Sequence, residues 1–168
     1  VAVTVGASGA FPLAFLAAFD PGDTVAMAAP YYPPYANILR ALGMRTQLLP
    51  CGPETRFQPT TAMLERHDPR PAGLIVASPC NPAGTMLEPG ELGAIACWCH
   101  AEGVRLISDE IYHGLSYGVP EATAAAYSPS AGSAAMRAMG ADIVRDDTGV
   151  WRVHGVGVGG LLQPEQAL

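Results

Sequence analysis

Lysine is missing altogether: all nine basic residues of this 168-residue sequence are arginines. Chemistry that depends on a lysine amine as nucleophile or covalent anchor is therefore excluded from this chain. Charge is also scarce, at 14% Asp, Glu, Lys and Arg, against about 25% in ordinary soluble domains. So lean a polar surface predicts that some apolar area expects a partner or a further segment. A net charge of −6 with no basic run makes nucleic acid and anionic membranes poor partners. Apolar stretches are broken by proline or glycine well before the roughly 20 residues of a membrane span. No signal peptide is visible, and a soluble, cytoplasmic setting is expected.

Four cysteines, Cys51, Cys80, Cys97 and Cys99, form no disulfide-like framework. The run Cys97-Trp98-Cys99-His100 invites a metal reading. On a helix, however, thiols two positions apart diverge by about 200°, and no second Cys/His pair completes a tetrahedral site. Core cysteines and no metal are expected. Length predicts one domain, or one domain plus a piece, and a hydrophobic content of 49% can furnish a large core. The sequence opens on Val1-Ala2-Val3-Thr4-Val5, a strand already under way with no initiator methionine. It is expected to be a fragment.

Strand-like and helix-like patterns alternate through the first 127 positions. Strands are expected at Val1–Val5, Thr24–Ala28, Arg45–Leu49, Gly73–Ala77 and Val104–Ser108. A turn at Gly6–Gly9 precedes a helix over Ala10–Phe19. Further helices are expected at Tyr32–Leu42, closed by Gly43, at Thr60–His67 with Thr60 as its cap, and at Pro89–Glu102, closed by Gly103. This alternation predicts an α/β fold, a mostly parallel sheet with helices on both faces. After Ser128-Pro129-Ser130-Ala131 the texture changes. A small helix Ala134–Met139 and a hairpin of Asp142–Arg145 and Val150–His154 are expected there, with too little apolar area to fold alone.

Ligands of such sheets bind beyond the carboxyl ends of the strands, and the candidate residues fall there. The small residues Gly6-Ala7-Ser8-Gly9 can present backbone N–H groups at a positive helix end, a setting that suits a phosphate; an ordinary strand-to-helix turn reads the same way. Tyr32, in Tyr31-Tyr32-Pro33-Pro34-Tyr35, can lie flat on a heteroaromatic ring or simply pack at a helix entry. Asn81, in an Asn-Pro-x-Gly turn, can donate to a phenolate oxygen or stabilise its own turn. Asp109 ends an apolar strand, where a carboxylate is costly to bury without a partner. A cationic ring nitrogen would be such a partner, and helix capping is the alternative. Tyr112, three residues on, can supply a second donor, whereas Glu110 and His113 are expected to be structural or exposed.

Five motifs carry a family likeness in order: Gly6-Ala7-Ser8-Gly9, Asp20-Pro21-Gly22-Asp23, Pro30-Tyr31-Tyr32-Pro33-Pro34-Tyr35, Ser78-Pro79-Cys80-Asn81-Pro82-Ala83-Gly84-Thr85 and Ser108-Asp109-Glu110-Ile111-Tyr112. Over positions 1–127 the sequence resembles part of the large domain of a class I/II (fold-type I) aminotransferase. That resemblance implies transfer of an amino group between an amino acid and a 2-oxo acid, with pyridoxal 5′-phosphate (PLP) as cofactor and a homodimer as the working state. It implies that Ala7 and Ser8 hold the phosphate and that Tyr32 stacks on the ring. Asn81 and Tyr112 would bind the ring oxygen, and Asp109 the ring nitrogen. No catalytic residue can be assigned, because the family's lysine has no counterpart. Weak non-covalent cofactor binding and no catalysis by this chain are expected, as is a non-catalytic binding module as an alternative.

The tail resembles a different family. Ala134-Ala135-Met136-Arg137-Ala138-Met139-Gly140-Ala141, Trp151-Arg152-Val153-His154-Gly155-Val156-Gly157 and Gly159-Gly160-Leu161 are similar to a piece of 3-phosphoshikimate 1-carboxyvinyltransferase (EPSP synthase) over 132–168. The expected organisation is a partial PLP-binding domain at 1–127, a junction at 128–131 and this second piece, with a shikimate-pathway transferase as the alternative function.

Overall fold

Short apolar runs separated by glycine and proline stops fold as alternating strands and helices. The computed structural model describes residues 4–127 and three strands beyond them, at 133–136, 141–145 and 151–155. The helices are α1 (Gly6–Ala18), α2 (Pro34–Ala41), α3 (Thr61–Glu65) and α4 (Pro89–Ala101). The strands are β1 (Thr24–Ala29), β2 (Arg45–Pro50), β3 (Gly73–Ala77), β4 (Arg105–Asp109), β5 (Ser133–Met136), β6 (Ala141–Arg145) and β7 (Trp151–Gly155).

They form one sheet in the order β2-β1-β3-β4-β5-β7-β6. Its pairs are parallel except the hairpin of β6 and β7. Successive side chains of a strand face opposite ways, and the two cores follow that alternation. Val25, Met27, Ile75 and Ile107 pack with Phe11, Phe15 and Leu39 beneath α1 and α2. Ala26, Leu74, Val76 and Leu106 pack with Leu64, Leu92 and Ile95 beneath α3 and α4. This is the expected α/β layering, with helices on both faces.

Helix ends are fixed by local chemistry. The Thr60 hydroxyl accepts a hydrogen bond from the Met63 amide at 3.3 Å, capping α3 as expected. Glu88 and Glu91 form a capping box at the start of α4. The guanidinium of Arg105 donates to the Ala18 carbonyl at the end of α1, where cationic groups are favoured.

Three expectations need correction. Gly6–Gly9 is not a turn preceding a helix; it is the first turn of α1, which begins at Gly6. Thr4 and Val5 are not in a strand, and Val1–Val3 lie outside the described residues. The run expected as a helix at Ala134–Met139 contributes strand β5, whose Leu106↔Ser133 to Asp109↔Met136 register extends the sheet from β4. An open sheet edge offers backbone partners that outweigh the helix preference of an Ala/Met-rich run. Residues 137–139 lie outside the described residues.

Candidate functional site

The parallel strands β1, β3 and β4 all deliver chain to the same sheet edge, and the start of α1 lies over it. Between them is a cavity of about 290 Å³. Its lining includes Ala7, Ser8, Tyr32, Asn81, Asp109 and Tyr112, so the structure brings all six sequence candidates to one place. Phe11 and Tyr35 line it too.

α1 supplies the amide-rich end. Gly6 has φ +72°, a left-handed conformation that disfavours residues with a side chain, and a Cβ there would meet nothing within 4 Å. Backbone conformation, rather than space, therefore calls for glycine at this point. The entry to the helix has no side-chain cap and no acidic residue in its first turn. The Gly6 N–H donates to the Thr4 carbonyl at 2.9 Å, and the N–H groups that follow it in the first turn have no side-chain cap to accept from them, which leaves them able to bind an external acceptor.

Asp109 is the last residue of β4 and is 3% exposed. Its Oδ1 accepts from the Ile111 amide at 3.1 Å, and its Oδ2 accepts from the Tyr35 hydroxyl. Burial pushes the carboxyl up to about 6, and the nearby Glu110 adds to this, while the two hydrogen bonds work in the opposite direction. Tyr35 moves the same way for a related reason: burial first, then the adjoining carboxylate, hold its phenol well above 10. The phenol therefore remains a donor throughout the range in which Asp109 titrates. Among the described residues no arginine or histidine forms an ion pair with Asp109. A buried carboxylate held only by neutral donors is a strong attractor for a cation.

Aromatic rings wall one side. Tyr32 meets Tyr35 edge-on, with centroids 5.5 Å apart, and Tyr35 meets Phe11 in the same way at 5.0 Å. Tyr35 was not among the sequence candidates. Its signal was present: it lies three residues after Tyr32 in the run expected as one helix, a spacing that places two side chains on the same side.

Glu110 is absent from the cavity lining. Its Oε1 accepts from Ser108 Oγ at 3.1 Å, Thr123 Oγ1 at 3.1 Å and the Ala124 amide at 3.0 Å. It tethers the segment before Tyr127 to the sheet. Cys97 is exposed and Cys99 buried, so the two thiols diverge on α4. Among the described residues no cluster of His, Cys, Asp and Glu is arranged to hold a metal. Nor, among them, is any helix long and apolar enough to cross a membrane.

An uncapped helix start and a buried acid at a strand end meet in one cavity on one edge of a parallel sheet, the arrangement of an α/β protein with a ligand-sized cleft beyond its strand ends. Residues 1–145 match the family described as aminotransferase class I and II, and the chain belongs to that family. It is 60% identical over 126 residues to the valine–pyruvate aminotransferase of Mycobacterium tuberculosis, covering 74% of this chain and 32% of that protein. Among solved structures, an aminotransferase from Mycobacterium tuberculosis superimposes with a TM-score of 0.73 at 59% identity, over 75% of this chain and 33% of that one. The aspartate aminotransferase from Thermus thermophilus with maleate also gives 0.73, at 32% identity, over 78% of this chain and 34% of that one. The chain thus spans about a third of the length of the relatives it matches. The family is PLP-dependent and uses amino acid and 2-oxo acid substrates.

Proposed function

We propose that this chain forms the PLP-binding part of an amino-group-transferring enzyme and that, without a lysine, it binds the cofactor only weakly and non-covalently and does not turn over. One observation carries the reading: the buried Asp109 carboxylate and the uncapped start of α1 share a single cavity. The residues fit the group. The amides of Ala7 and Ser8 bind its phosphate, and Tyr32 covers its ring. Asn81 and Tyr112 donate to its ring oxygen, while Asp109 pairs with its ring nitrogen. When bound, PLP supplies an electron sink for carbanionic charge. The chain's own part is to hold the ring nitrogen protonated, through an ionised Asp109 kept in place by Tyr35.

Identity to the valine–pyruvate enzyme supports an aliphatic amino acid as donor in a protein of full family length, acting as a homodimer. The tail motifs support a second origin for 132–168, in a carboxyvinyltransferase piece joined near Ser130. Genomic sequence across that position tests the join.

Titration with pyridoxamine 5′-phosphate, followed by absorbance and calorimetry, tests the binding reading. Saturable binding is expected, and Asp109→Ala should abolish it. Equal binding by the wild type and Asp109→Ala would refute the site. Turnover above that of PLP alone, with an amino donor and an oxo acceptor, would refute the inactivity.

A further inference from the structure

Asn81 must present its amide from a loop that belongs to neither a helix nor a strand. Among the described residues none hydrogen-bonds to the Asn81 side chain, so the loop alone sets its position. That loop leaves β3 at Ala77 and is pinched by backbone bonds from Cys80 N to Thr85 O at 2.8 Å and from Gly84 N to Cys80 O at 2.7 Å.

Gln58 reaches both ends of the loop from outside it. The side chain is 2% exposed. Its Nε2 donates to the Ala77 carbonyl at 3.2 Å and the Thr85 carbonyl at 3.0 Å, with the Thr85 hydroxyl at 3.4 Å. One amide therefore joins the last residue of β3 to the far end of the Asn81 loop. A small cavity of about 10 Å³ lies where Gln58, Tyr31, Tyr35, Cys80 and Asn81 converge. The polar brace thus meets the loop close to Asn81.

We propose that Gln58 is a positioning residue: it fixes the Ser78–Thr85 loop so that Asn81 can donate to the ring oxygen of the bound cofactor. The inference rests on the PLP reading above and extends it to a residue outside the cavity lining.

The test uses the whole chain with pyridoxamine 5′-phosphate, which needs no covalent anchor. Affinity is read by calorimetry, and the ionisation of the ring hydroxyl by the absorption band of the bound ligand. Gln58→Met should weaken binding about tenfold, the value of a lost buried hydrogen-bonding group, and move the ring-hydroxyl ionisation towards that of unbound ligand. Asn81→Ala should do the same. In the Asn81→Ala background, Gln58→Met should cost nothing further, because both act through one contact. Additive losses, or a wild-type band in Gln58→Met, overturn the proposal. A role confined to stability lowers the folded fraction and leaves the band of the bound ligand where it was. Should Gln58→Met not fold, Gln58→Glu keeps the shape, sets a carboxylate against two carbonyls and should give the same band shift. A wild type that binds no ligand refutes the cofactor reading and this inference with it, whereas binding with additive effects overturns the inference alone.

Discussion

Replacing Asp109 by asparagine removes a charge and keeps the shape, so it isolates what the ionised carboxylate does to the folded chain. Burial lifts this group from 3.8 to about 6. The folded state therefore binds a proton more readily than the unfolded state between those values, and stability falls as pH rises through that window. Below about pH 4 the carboxyl is neutral in both states and costs nothing. Above about pH 6 the penalty is complete, at roughly 3 kcal/mol. That is a large share of the 5–15 kcal/mol typical of a folded domain. Urea unfolding followed by circular dichroism from pH 4 to pH 8 measures it. The wild type should lose stability from pH 4 to pH 6 and then level off with respect to this group. Asp109→Asn should lack that decline and be the more stable protein at pH 7. Pyridoxamine 5′-phosphate should reverse the ranking, because its ring nitrogen pairs with the ionised carboxylate and not with the amide. An asparagine variant that is less stable than the wild type at pH 7, with the same decline between pH 4 and pH 6, would show that the carboxylate is already compensated and holds no place for a cation.

Two further outcomes follow from named contacts. Tyr35→Phe removes the hydroxyl donor to Asp109 Oδ2, which lowers the carboxyl. The midpoint of ligand binding against pH should therefore rise, with affinity at pH 7 about tenfold weaker; an unchanged pH profile in calorimetric titrations refutes the link. At Gly73, a Cβ would come within 2.2 Å of the Phe19 ring and 3.1 Å of the Arg105 carbonyl. Gly73→Ala should cost about 1–3 kcal/mol, the usual range for overpacking, read as a lower urea midpoint, and a midpoint equal to that of the wild type refutes the packing argument.

Most of the sheet was legible because its strands are short apolar runs bounded by glycine and proline. β3 has the expected bounds, Gly73–Ala77, and β4 differs from expectation only by one residue at each end. The convergence of the six candidate residues on one cavity was legible because each ends or follows a strand or lies at the start of a helix, and such positions meet in a parallel sheet. What could not be read depended on partners distant in sequence. Gly6–Gly9 has the composition of a turn, yet Gly6 alone takes the left-handed angle and the next residues are already helical. The Ala/Met-rich run after Ser133 favours a helix locally, and only the exposed edge of β4 makes it a strand. Tyr35 and Gln58 look like an ordinary helix aromatic and a loop amide until folding brings them to Asp109 and Thr85.

The pair Asp109-Glu110 shows how the pleat turns sequence into site. Ile107 belongs to the core beneath α1 and α2, and Leu106 to the core beneath α3 and α4. Continuing that alternation, Asp109 must face the first layer, where Tyr35 and Phe11 wait, and Glu110 the second, where it meets the Ala124 amide. Two chemically similar acids, adjacent in sequence and both about 99–97% buried, thus acquire different tasks from a period of two. A register shift of one residue would exchange them, aiming Glu110 at the cavity and leaving the amide of Ala124 without its acceptor. The Ala77↔Asp109 pairing holds the register and also sets the loop bearing Asn81 beside the acid. The arrangement of the cavity is therefore a property of the sheet and of α1, in a chain that has no lysine.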